Sequence, residues 1–168
     1  MNKLQNMKKM IFLIALSVTG LNVFAQAKLK DGIYLIDQSK DIHITPKSYR
    51  ASVELSPVLT EDDPELYKPL IVFTDDFVPL ELADKPVIQY QSSGDNQVLV
   101  HLTENATRKL REFTTKNMMN HIVVIINAQA VAIYKVIQPV ASGFIRVSRC
   151  SGNACGIIYK QLRLSYKI

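Results

Sequence analysis

The sequence predicts an α+β domain: a mainly antiparallel sheet with two helices packed on one face, and a β-rich segment at the N-terminal side. Three observations carry this. Runs that alternate apolar and polar residues, such as RASVELS at 50–56, recur between prolines in the first half of the chain. Two stretches, one after residue 102 and one near the C-terminal end, have helical character. Between them, residues 122–126 are apolar at every position, as expected of a strand covered on both faces.

The elements follow in order. Lys3, Lys8 and Lys9 precede a short apolar run from Ile11 to Val18, and Val23 and Ala25 fit a small-residue cleavage site. Ser17, Thr19, Gly20 and Asn22 interrupt the run, which falls short of the roughly 20 apolar residues that span a bilayer. Residues 1–25 are therefore read as a signal peptide cleaved after Ala25, and the mature chain as periplasmic or secreted. No cysteine stands at the cleavage point to take a lipid anchor, and no later segment is long enough to re-enter a membrane.

In the segment 26–79, a turn at Asp31 and Gly32 leads into a strand from Ile33 to Ile36, and DIHIT and RASVELS read as half-buried strands. TEDDPELYKP is a charged loop or single helical turn, and PLIVFTDDFVPLEL holds another buried strand. In the segment 80–168, KPVIQY and QVLVHL are strands on either side of the SSGDN break. A helix follows, capped by Thr103 or Asn105, with Glu104 where the helix dipole favours an acid. Ala106, Leu110, Phe113 and Asn117 form its packing stripe, and Arg108, Arg111, Glu112 and Thr115 its wet one, with Arg108 and Glu112 spaced as an ion pair. Strands HIVVIIN, AVAIYKVI and GFIRVSR and the helix NACGIIYKQL complete the chain. Asn127-Ala128-Gln129 makes a tight turn without the glycine such a hairpin prefers.

Charge is asymmetric. With the signal lysines removed, 17 basic side chains face 15 acidic ones. Residues 26–104 hold 7 basic and 14 acidic residues, whereas residues 105–168 hold 10 basic and only Glu112. Such a split suits either two mutually attracting parts of one fold or an anionic partner. Arg108, Lys109, Arg111 and Lys116 are the candidate surface for that partner. Nucleic acid is not expected, because tryptophan is absent and the basic residues are not interleaved with stacking aromatics.

The order of strand, LTENATRKLREFT helix, HIVVIINAQAVAIYKVIQPVASGFIRVS and terminal helix resembles the periplasmic head of the SecD/SecDF protein-export translocase subunit. Leu102, Thr103, Phe113, Ile122 to Asn127, Val131, Pro139, Gly143, Ile145 and the helix around Ala154 to Leu162 carry the likeness, with ADKPVIQY as a matching lead-in strand. It covers roughly residues 80–163. The resemblance implies a free-standing, exported, head-like domain that binds a polypeptide or envelope protein and has no catalytic residues or cofactor. The alternatives are a thiol-disulfide exchange enzyme using Cys150 and Cys155, and a purely structural envelope protein.

Cys150 and Cys155 flank a strand-turn-helix corner, RCSGNAC. In an oxidising compartment the default for such a pair is a disulfide staple. The helix N-terminus and Arg149 would favour a reactive thiolate, but the spacing is not that of a thioredoxin-like site, and no further Cys or His lies at metal-ligand spacing. His43, His101 and His121 sit on separate strands, each read as a surface or strand-edge residue. Ser92, Ser93 and Ser142 lack a nucleophile-elbow context. Asp62, Asp63, Asp75 and Asp76 lack the alternating ligands and closing glutamate of a calcium loop.

Overall fold

The computed structural model describes residues 29–38, 50–56, 69–90, 92, 96–150 and 154–165, the side chains of 148–150 and 165 excepted. The expected signal peptide, the DIHIT strand, the TEDDPELYKP loop up to residue 68, and His43, Asp62, Asp63 and Ser93 lie outside the described residues. Among the described residues, eight strands and two helices follow one another as β1 (Gly32–Ile36), β2 (Arg50–Leu55), β3 (Leu70–Pro79), β4 (Val87–Gln89), β5 (Asn96–His101), α1 (Glu104–Lys116), β6 (His121–Ile126), β7 (Gln129–Lys135), β8 (Phe144–Cys150) and α2 (Ala154–Ser165). The α+β class, two helices with antiparallel-dominated sheets, is the one expected. No helix among the described residues is long and apolar enough to cross a membrane.

The strands form two sheets. Five close into a barrel in the order β1-β3-β2-β7-β6, and three form a sheet in the order β4-β5-β8. The barrel takes strands from both sides of residue 80. Its closure is slight: a parallel contact of two residue pairs, Glu54 with Gln129 and Leu55 with Ala130, extended by the Ser56 N–H donating to the Ala130 carbonyl at 2.8 Å. Every other strand pairing is antiparallel.

β6 is covered on both faces, as its unbroken apolar run requires. Val123 and Ile125 point into the barrel with Tyr34, Val53, Val72 and Ala130. Ile122, Val124 and Ile126 point outward into a larger cluster that includes Leu110 and Phe113 of α1 and Ile158 and Leu162 of α2. Both helices thus share one apolar layer, and the barrel's own interior is the cover on the other side of β6.

α1 begins as expected: Thr103 caps it, its hydroxyl accepting from the Ala106 N–H at 3.3 Å, with Glu104 in the first turn. Ala106, Leu110, Phe113, Thr114 and Asn117 are buried. The Arg108–Glu112 ion pair is not formed among the described residues; Arg108 Nη2 donates to Asn105 Oδ1 at 2.9 Å instead. Thr114, wholly buried, donates its hydroxyl to the Leu110 carbonyl at 2.7 Å and accepts from the Val140 N–H at 3.0 Å, fastening the β7–β8 connection to the helix. Gly143 leads that connection into β8 with φ +69, and a Cβ there would stand 2.5 Å from Thr107 Oγ1, so backbone and helix contact both demand glycine.

The β6–β7 hairpin is a two-residue turn whose central residues, Asn127 (φ 51) and Ala128 (φ 63), are both left-handed. Asn127 tolerates this, and its N–H donates to Asp31 Oδ1 at 2.7 Å. Ala128 carries a Cβ in a conformation suited to glycine. We expect Ala128→Gly to raise stability by roughly 0.5–1 kcal/mol, the strain relieved less the added freedom of the unfolded chain. Urea unfolding with a higher midpoint and unchanged slope would establish it.

Two polar features of the barrel were not singled out in the sequence. Arg50 Nη2 and Asp37 Oδ2 form an ion pair of 2.9 Å with side chains only 9% and 5% exposed. Tyr34 stacks on Phe77 with ring centroids 4.8 Å apart and donates its hydroxyl to the Lys30 carbonyl at 2.8 Å. Burial, with the Asp31 carboxylate adding to it, pushes the Tyr34 hydroxyl up to about 12.

Candidate binding face of the three-stranded sheet

The three-stranded sheet has one closed face and one open face. In β5, alternation sends Val98 and Val100 inward, where they share the core with Val147 of β8 and with Cys155, Ile158 and Leu162 of α2. The intervening Leu99 and His101 face the other way, in register with Val87 of β4 and with Arg146 and Phe144 of β8. Phe144 is 63% and Val87 58% exposed, a large apolar commitment to solvent on one small sheet.

Phe144 is held in place despite its exposure. Its ring lies parallel to the His101 imidazole, 4.2 Å between centroids and 5° between planes. His101 Nδ1 in turn stands 2.7 Å from Asp84 Oδ2, within hydrogen-bonding distance of the carboxylate. Asp84, His101 and Phe144 form a chain in which each group orients the next. The His101–Asp84 contact is open to solvent and adds little to stability.

The same sheet also offers backbone edges: among the described residues β4 and β8 are its outer strands, each paired on one side only. Beside β8, Tyr134 donates its hydroxyl to the Arg146 carbonyl at 2.8 Å, and the Arg146 guanidinium lies 5.9 Å from the Tyr134 ring centroid. β4 is short and mostly exposed, and it is the edge best placed to accept an added strand.

The basic residues of α1 are all exposed, and two of them line a groove. Lys109 and Lys116, with Glu112 and Phe113, line a groove of about 380 Å³ against Asp76, Phe77 and Val78 of β3. β3 makes this possible by a bulge: Tyr34 pairs with Phe77 and Ile36 with Val72, so residues 73–76 stand against Leu35 alone. The bulge brings Asp76 to Lys116, whose Nζ is 2.8 Å from Asp76 Oδ2. That hydrogen bond and the Asp76 charge raise the Lys116 pKa, with Asp75 adding to it. Arg108 and Arg111 do not line the groove.

The remaining sequence candidates stay apart. His121 on β6 meets the Gln38 side-chain amide, far along the chain from His101 and its carboxylate. Ser142 donates to the Phe144 carbonyl at 3.2 Å. Cys155 is buried in the first turn of α2, and the side chain of Cys150, at the end of β8, lies outside the described residues. Among the described residues no three His, Cys, Asp or Glu side chains are grouped to hold a metal ion.

No family model matches the sequence and no curated protein matches it. Among solved structures the fold is similar to that of SecDF in a super-membrane-facing form, with TM-score 0.51 and 15% identity over 77% of this chain. It is also similar to a second SecDF structure, described as a membrane component that enhances protein export, with TM-score 0.54 and 17% identity over 87% of this chain and 70% of that one. The chain spans 18% of the length of the first of these proteins. The likeness is one of fold, and it reaches beyond the stretch where the sequence pattern is visible, into the barrel strands β1 to β3.

Proposed function

We propose that the protein is an exported, non-catalytic module linked to protein export, which holds an extended polypeptide segment on the open face and β4 edge of the three-stranded sheet. The observation that carries this reading is the coincidence of exposed apolar side chains with an edge strand on one small sheet: Phe144 and Val87, with half-buried Leu99 beside them, offer side-chain contacts, and β4 offers main-chain pairing. The similarity in fold to SecDF supports an export role. Arg108 and Arg111, exposed and outside the groove, supply a contact for an acidic stretch of the same partner.

The mature chain from residue 26 should bind a fluorescently labelled, unfolded polypeptide, and Phe144→Asp with Val87→Asp should weaken that binding by about tenfold, the scale set by losing a central apolar contact. Equal binding by the folded double variant would remove the reading. As part of the same proposal, Cys150 and Cys155 form a staple, which on loop-closure grounds contributes about 2 kcal/mol. No free thiol is found among the described residues, in keeping with it. Thiol titration of the denatured, unreduced protein should then find none, and two would refute the staple.

A further inference from the structure

We propose that the outer face of α2 seats the domain on an anionic phospholipid surface. The inner face of α2 is committed to the core through Cys155, Ile158 and Leu162. Its outer face carries Ile157, 53% exposed, and Leu164, 81% exposed, seven positions apart and therefore on one stripe about 10 Å long. Lys160 and Arg163 stand exposed between them, and the Arg163 guanidinium lies 6.0 Å from the Tyr159 ring centroid. Residues 154–165 contain no acid. Tyr90, 76% exposed, directly follows β4, whose Ile88 packs on the core that α2 covers.

Large apolar side chains, two cations and an aromatic with a polar tip, all on the outer surface of one helix and its neighbouring strand, match the boundary between headgroups and acyl chains. The apolar residues enter the acyl edge, while the long basic side chains reach back to lipid phosphates. A convex stripe of this kind offers no groove for a folded protein to fill, whereas a fluid lipid surface adapts to it. The charge is complementary as well: Lys160 and Arg163 stand on this helix with no acidic side chain among residues 154–165 to offset them. This face lies across the three-stranded sheet from Phe144, so a domain seated through α2 keeps the Phe144 face turned away from the lipid.

Flotation of the mature chain with two kinds of vesicle tests the proposal: phosphatidylcholine alone, and phosphatidylcholine mixed with phosphatidylglycerol. The expected result is association with the mixed vesicles at low salt and little with the neutral ones. Lys160→Gln and Arg163→Gln should each weaken it about fivefold, and Ile157→Ser with Leu164→Ser by about tenfold. Because the chain has no tryptophan, Leu164→Trp provides a reporter that leaves both cations intact, and its emission should shift to the blue on mixed vesicles. Circular dichroism confirms that each variant is folded. Absence of flotation with mixed vesicles, undiminished flotation of the folded variants, an unshifted Leu164→Trp spectrum, or equal binding to soluble polyglutamate, which would mark an acidic polypeptide as the partner, each overturns the proposal.

Discussion

Arg50→Met lowers the stability of the domain by about 3–5 kcal/mol, the range for breaking a buried ion pair from one side. The reason lies in what is left behind. Arg50 opens β2 and Asp37 follows β1, so their 2.9 Å contact joins the two strands that flank β3. Asp37 is also fixed through its backbone, the N–H donating to the Ile71 carbonyl at 2.8 Å. With only 5% of its side chain exposed, an ionised Asp37 without its guanidinium cannot turn to water unless the barrel end opens. The Arg50 side chain also lies 5.8 Å from the Phe73 ring centroid, a contact that methionine keeps only in part. Removing both charges, as Arg50→Met with Asp37→Leu, should recover most of the loss, because the attraction of a buried pair is largely offset by its desolvation. Urea midpoints of the two single variants and the double variant measure the coupling. A cost under about 1 kcal/mol for Arg50→Met would show that water reaches the pair.

The elements were legible because each carries its own local signal. Thr103 and Glu104 announce the start of α1, the stripe of Ala106, Leu110 and Phe113 its buried side, and the unbroken run at Ile122 to Ile126 a doubly covered strand. What holds these parts together was not legible, since it rests on pairings between distant residues. Barrel closure depends on Glu54 and Leu55 meeting Gln129 and Ala130 through two residue pairs. Nothing in the composition of either strand specifies that partner. The bulge at 73–76 leaves a normal-looking strand sequence, yet it decides that Asp76 reaches Lys116, and so sets Lys116 apart from Arg108 and Arg111.

The candidate site was hidden for a related reason. Phe144 sits in GFIRVSR, where an apolar residue at the head of a strand reads as core. Only the register with His101, and the bulge that offsets Val147 from Leu99, put it on the open face. Gly143 was visible as a glycine leading the strand, but its cause, Thr107 pressed against it from α1, was not. The sequence therefore revealed which segments pack and concealed which packed segment leaves an apolar face exposed.

β6 allows a direct test of the two-sided core. Ile125→Ala and Ile126→Ala should each cost about 2–5 kcal/mol, the usual range for truncating a buried isoleucine. Neither residue has measurable exposure, yet the two point in opposite directions. Ile125 belongs to the barrel interior with Tyr34, Val53 and Val72. Ile126 belongs to the layer shared with Leu110 and Phe113 of α1. A strand with one wet face would show a large loss at one position and almost none at the next, because its side chains alternate. Similar losses at neighbouring positions can arise only if both faces are sealed. The barrel interior is the more informative half, since it is small and closed by the narrow β2–β7 contact. If that contact opened easily in solution, water would enter beside Ile125, the cavity left by truncation would fill, and the loss at Ile125 would drop well below that at Ile126. Equal losses, close to additive in the double variant, would establish that two separate clusters meet back to back along this one strand.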